Sequence, residues 1–199
     1  MYSLPQSTEI KKQLPKKAIF TKFDLKTSQK ESFDSDISRI DIVGVISPET
    51  LPALTEGKEI KSLYVLAVQL KRKNYDSKNI ALLTKLIPQN MILALHYENK
   101  VQFAIYHTKL ISSNWQTSED AKLSLSGLNL DSVWENIVKS IGDIEVEEGN
   151  TLTEQIASDD TKQKILSQIS VLERKMANEK QPKRKREYFE QIKQLKSQI

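Results

Sequence analysis

Residues 62–73 read SLYVLAVQLKRK. From Leu63 to Val68 the run is apolar at successive positions, so both faces of an extended chain would be buried. A strand with one wet face alternates; a continuous apolar run belongs inside a sheet. The stretch therefore predicts an inner strand, with further strands beside it and helices over its faces.

The flanking sequence supplies both. RIDIVGVI, residues 39–46, is rich in β-branched residues and stops at SPET, which reads as a second strand. Before it, TSQKESFDSDISRI has helical spacing: Phe33, Ile37 and Ile40 form a stripe. Thr27 or Ser28 would cap that helix, with Glu31 completing a capping box. On the other side, DSKNIALLTKLIP predicts a helix capped by Asp76 or Ser77 and stopped by Pro88. Ile80, Leu83 and Ile87 line its inner side, widened by Leu82 and Leu86.

MILALHYENKVQFAIYH then predicts a β-hairpin turning at residues 98–100. LDSVWENIVKSIG predicts a helix capped by Asp131 and ended by Gly142, with Val133, Ile137, Val138 and Ile141 inward and Trp134 beside them. LPKKAIFTKF, residues 14–23, reads as a short strand or an extended arm. Together these give an α/β domain over residues 1–145, a mixed sheet of four to five strands flanked by helices.

Residues 146–157 read as an acidic linker, and residues 158–199 as a C-terminal helical pair, a hairpin or coiled coil. Ile165, Ile169, Leu172 and Met176 are spaced four, three, four. So are Tyr188, Ile192, Leu195 and Ile199. Each set is a heptad seam. Continuing the first seam on one helix lands on Glu179, Lys183, Arg186 and Glu190, which puts charge in the stripe. Pro182 costs about 3 kcal/mol inside a helix but is welcome in a first turn. Two helices turning near EKQPK follow.

Charge is unevenly placed. The net charge is +4, while from Glu173 onward nine Lys and Arg stand against four acids. The cluster Lys183, Arg184, Lys185 and Arg186 opens the last helix, where positive charge is slightly unfavourable. It is a candidate for phosphate-backbone contact, without sequence preference and sensitive to salt. Attraction to the acidic stretch before the tail is the plainer account of both segments, as is simple solvation of a loop tip. Cysteine is absent, which fits a cytoplasmic protein and excludes disulfides and thiolate metal sites. His96 and His107 are the only histidines, so no metal site is expected. No run approaches the roughly 20 apolar residues of a membrane helix.

LPKKAIFTKF, ISRIDIVGVISPETL, LYVLAVQLK, LIPQNMILALHYENKVQFAIYHTK and the terminal LERKMANEK…YFEQIKQLKSQI resemble a bacterial family of unknown function, DUF4391. The resemblance implies genes that neighbour helicases and DNA methyltransferases of restriction and anti-phage defence systems. It therefore implies an accessory, non-catalytic interaction subunit docking on such a partner. The α/β domain would carry one contact. The tail residues Ile165, Ile169, Leu172, Met176, Tyr188, Ile192 and Leu195 would carry another. Family members have a glutamate where this chain has Gln69, so QLK (Gln69, Leu70, Lys71) resembles one half of a PD-(D/E)xK nuclease site. Glu49 after Pro48, or Asp41, would be its first acid, and magnesium the one cofactor that reading needs. The plain account of Gln69 and Lys71 is an outward strand edge.

Overall fold

The computed structural model describes residues 1–86 and 88–198. Ile87 and Ile199, each assigned to an apolar stripe above, lie outside the described residues. The chain divides into two compact units, Met1–Ile144 and Glu145–Ile199.

The first unit is a mixed α/β domain. Among the described residues it has seven strands: β1 (Glu9–Gln13), β2 (Ile37–Ile46), β3 (Leu63–Leu70), β4 (Asn90–Tyr97), β5 (Lys100–Tyr106), β6 (Leu110–Ser112) and β7 (Gln116–Thr117). They lie in the order β1-β2-β3-β4-β5-β6, with β7 also paired to β5. β3 and β4 are parallel and every other pair is antiparallel. The expected four to five strands fall short because β1, β6 and β7 are short and carry little apolar pattern. β3 is the inner strand that its sequence predicts, with Leu63, Val65, Leu66 and Val68 fully buried.

The parallel step from β3 to β4 needs a crossover, supplied by α3 (Ser77–Leu83). Asp76 caps it by accepting from the Lys78 amide at 2.9 Å. The hairpin β4–β5 turns through Glu98, which sits at φ 52, and Asn99, with Tyr97 facing Lys100. Two expectations are corrected upstream. Residues 14–23 are not a strand: Lys16–Lys22 form helix α1, because Ile19, Phe20 and Phe23 reach the core at helical spacing. Ile37 and Ile40 are not helical: α2 spans Thr27–Asp36, and both isoleucines lie on β2. The expected capping box with Glu31 gives way to Gln29, whose amide oxygen accepts from the Lys26 N–H at 2.9 Å.

One face of the sheet carries a core under α1, α2 and α3. Ile40, Ile42, Leu66, Val68, Leu93 and Leu95 meet Ile19, Phe33, Ile80 and Leu83 from α1, α2 and α3. Phe20 packs edge-on against Phe33 at 5.6 Å, and Lys16 pairs with Asp34 at 2.6 Å. Beside β5 and β6 runs α4 (Leu130–Gly142), with Val133, Trp134, Ile137, Val138 and Ile141 buried. Its cap is Asn129, which accepts from Ser132, and not Asp131. Asp131 instead accepts from the amides of Lys58 and Ile60, at 2.6 and 2.9 Å, and fixes that loop. The left-handed residue that ends α4 is Asp143, at φ 50, one position after Gly142.

A fully buried carboxylate joins three of these elements. Asp36, the last residue of α2, accepts from Arg72 at 2.5 Å, from Asn79 at 2.7 Å and from the Asp76 amide at 2.8 Å. Its carbonyl accepts from the Lys71 amide at 2.7 Å. Burial pushes its carboxyl up, but donation from Asp76, Asn79 and Arg72 outweighs burial and holds it below the ordinary aspartate value. Asp36→Ala leaves the Asp76 amide without a partner and Asn79 with only its longer bond to Ser32, at 3.2 Å, and is expected to cost about 3 kcal/mol in urea unfolding. A depressed carboxyl stabilises the fold above its unfolded pKa. The advantage of wild type over the variant should therefore be full above about pH 4 and shrink as pH falls through the folded value.

Candidate interaction surfaces

Register decides which of the singled-out residues on the sheet meet. Asp41 faces Ala67 across β2 and β3, and Arg39 faces Gln69. Gln69 in turn faces His96 on β4. Side chains two apart on a strand share a face. Asp41, Gln69 and Arg39 therefore share one face, and Lys71 follows Gln69 just past the end of β3. Glu49 is elsewhere. Ile46 pairs with Leu63, so Glu49 lies beyond the opposite end of β2. Six residues separate Leu63 from Gln69, about 20 Å of strand. The structure thus brings Asp41 to Gln69 and does not bring Glu49.

The chemistry at this face is modest. Arg39 binds Asp41 through both carboxylate oxygens, at 2.7 and 2.9 Å. The Gln69 amide donates to the His96 carbonyl at 3.4 Å. One carboxylate already held by arginine, beside a neutral amide, is a weak magnesium site. No cluster of three His, Asp or Glu suited to a metal occurs among the described residues. His96 has a partner that sequence spacing could not reveal: the Tyr2 hydroxyl lies 2.5 Å from its Nε2, ninety-four positions away. Burial lowers the His96 pKa and raises that of Tyr2. A closed, neutral Tyr–His pair of this kind positions a segment. Tyr2 also packs edge-on against Phe103 at 5.5 Å.

The second unit is a helical hairpin of α5 (Leu152–Asn178) and α6 (Pro182–Lys196). α5 begins inside the stretch read as linker, because Thr151 and Glu154 form a capping box: the Thr151 amide and hydroxyl donate to the Glu154 carboxylate at 2.8 and 2.7 Å. Pro182 is the first residue of α6, as its missing amide favours. At the apex the Glu179 carboxylate accepts from the Lys180 and Gln181 amides, at 2.8 and 3.0 Å, and lies 3.7 Å from Arg184. The Gln181 amide is the main reason its pKa is lowered.

The two seams meet each other. Ile165, Ile169 and Ile192 are buried together, with Leu172, Met176 and Leu195 packed on them. Tyr188 is half-buried and lies on one flank, beside Val171, Arg174 and Lys175. The expected partner-binding seam is therefore occupied largely from within the chain, and what remains available is its flanks. Leu166 and Glu173 are one heptad apart on α5, and Phe189 and Lys196 one heptad apart on α6. Lys196 pairs with Glu173 at 3.4 Å, so these two rows face each other along one flank. Leu166 and Phe189 are 52% and 56% exposed there. Lys183, Arg184, Lys185 and Arg186 are all exposed at the start of α6, and Arg184 is the one of the four that pairs with an acid among the described residues.

The family model for "Domain of unknown function (DUF4391)" matches residues 3–199, and the chain belongs to that family. No curated protein and no solved structure matches the chain. No helix among the described residues is long and apolar enough to cross a membrane.

The seam has a direct test. Ile169→Ala removes a residue only 4% exposed at its centre and should cost about 2–4 kcal/mol locally. Hydrogen exchange of the α5 and α6 amides should accelerate, while that of β3 and β4 stays unchanged. Unaltered exchange in the hairpin would mean that the seam does not hold it.

Proposed function

We propose that this protein is a non-catalytic interaction subunit of a bacterial DNA-restriction or anti-phage defence assembly. It docks on a larger helicase, methyltransferase or nuclease through the α/β domain and through the C-terminal helices. The defence setting rests on the family resemblance. The docking role rests on one observation: a hairpin that satisfies its own seam still holds Leu166 and Phe189 in water on one flank. Large apolar residues on one side of a charged rod suit a protein partner that buries them, with the Glu173–Lys196 pair lying between the two.

Leu166→Asp combined with Phe189→Asp alters this flank without touching the buried seam. Affinity capture from the native host should recover a helicase, methyltransferase or nuclease with the wild-type chain. The double variant should lose it, as should a chain lacking residues 160–199. Equal recovery by all three would remove the tail from the docking role; recovery of no such enzyme would overturn the assignment.

A second reading follows from the exposed cations of the apex. Lys183, Arg184, Lys185 and Arg186 offer contacts to phosphate with no base readout. Reversing all four to glutamate is expected to weaken binding to random duplex DNA and flatten its dependence on salt by up to about four counterions. Equal binding and equal slope in a fluorescence titration would exclude the apex as a DNA contact.

A further inference from the structure

The flank of the hairpin opposite Leu166 and Phe189 is a groove of about 470 Å³, lined by Gln168, Val171, Leu172, Gln191, Gln194 and Leu195. Leu172 and Leu195 belong also to the buried seam, so the groove is an open continuation of an interface that already exists. Its lining contains no charged residue, although 18 of the 48 residues from position 152 to 199 are charged. Depletion of charge marks the centre of protein interfaces. Val171 is 43% exposed where the groove meets a second hollow lined by Arg174, Lys175 and Tyr188.

The ends of the unit are opposite in sign. Residues 145–164 hold six acids and two lysines; residues 174–186 hold seven Lys and Arg and one acid. Lys164 pairs with Asp160 at 2.7 Å and Lys162 with Glu147 at 3.6 Å, which leaves the acidic end a net excess of acids that the apex cations of the same hairpin are too distant to offset. From Asp160 to Asn178 the chain is one uninterrupted helix, about 27 Å of rise, against a screening length of about 8 Å. The dipole of α5 accounts for Glu154 in its first turn and Lys175 in its last. It does not account for four cations in the opening turns of α6, where the dipole opposes them.

We infer that the groove is covered by a second copy of this chain, packed antiparallel across a two-fold axis near Val171. Residues near such an axis meet their own copies. Glutamine suits that position, because its amide both donates and accepts and so pairs with itself. Antiparallel packing sets the turn at Gln181–Lys183 of each copy beside Asp159 and Asp160 of the other. A parallel arrangement would instead place like charges together. The product is a four-helix bundle in which each acidic end meets a basic apex. The flank with Leu166 and Phe189 stays outside it, so the inference stands independently of the docking role proposed above.

Sedimentation equilibrium of the full chain is the test. The wild type should have twice its 22.8 kDa mass, with a dissociation constant that rises with salt. Val171→Glu, at an exposed site, should raise that constant by about tenfold or more, since the two glutamates would face each other. Asp159→Lys with Asp160→Lys should weaken the dimer, as should Lys183→Glu with Lys185→Glu. All four changes in one chain should restore it. Circular dichroism checks that each variant keeps its helices. A wild-type monomer, a dimer indifferent to Val171→Glu, or a fourfold variant as weak as the pairs would each overturn the inference.

Discussion

Two apolar stripes that cannot share one helix govern the second unit. Ile165 to Met176 and Tyr188 to Leu195 each keep heptad spacing, but the first stripe continued in phase reaches Glu179, Lys183 and Arg186. A single rod would either bury those charges or expose one stripe. Reversal at Gln181–Pro182 removes the conflict, and the isoleucines then bury one another. The reversal also creates every other feature of the tail. It makes an apex, and so a place where cations crowd. It makes two flanks, and so separates Leu166 and Phe189 from the glutamine-lined groove.

The first unit depends on a different kind of constraint. A carboxylate with no exposure is tolerated only when its oxygens are fully used. Asp36 uses them on Arg72, Asp76 and Asn79, which follow β3 and begin α3. Hydrophobic contact alone would let α2 and α3 slide over the sheet, since apolar packing has little directional preference. The fixed geometry of these hydrogen bonds sets where α2 ends and where α3 starts. That placement fixes the crossover from β3 to β4, and with it the register that sets Gln69 beside His96.

What was legible in the sequence was what burial writes periodically. β3 and the first arm of the β4–β5 hairpin carry continuous apolar runs, and α3, α4 and the two tail helices carry apolar residues at a period near three and a half. β1, with the sequence EIKKQ, has one partly buried side chain and four exposed ones, so nothing in its pattern announces a strand. Its pairing with β2 comes from backbone hydrogen bonds, to which side-chain pattern is blind. The sequence of α1 suits a strand as well as a helix, because two of its seven residues, Ile19 and Phe20, are adjacent. The α2–β2 border was blurred because Phe33, Ile37 and Ile40 happen to keep helical spacing across it. Of the site residues, the four cations and the seam were visible because they are local in sequence. Tyr2 with His96, and Glu49 apart from Gln69, are facts of long-range register, and one sequence carries no record of that.

The two units also differ in how their polar and apolar groups are satisfied. Polar groups on the sheet face are consumed by one another: Arg39 by Asp41, Gln69 by a backbone carbonyl, Tyr2 by His96. The tail leaves groups unsatisfied. Leu166, Val171 and Phe189 remain in water, and cations gather at a helix start that repels them. Each of these carries a free-energy cost for the isolated chain and none helps it fold. Such costs would be relieved by contact with another surface, which is the physical basis of the docking role proposed above.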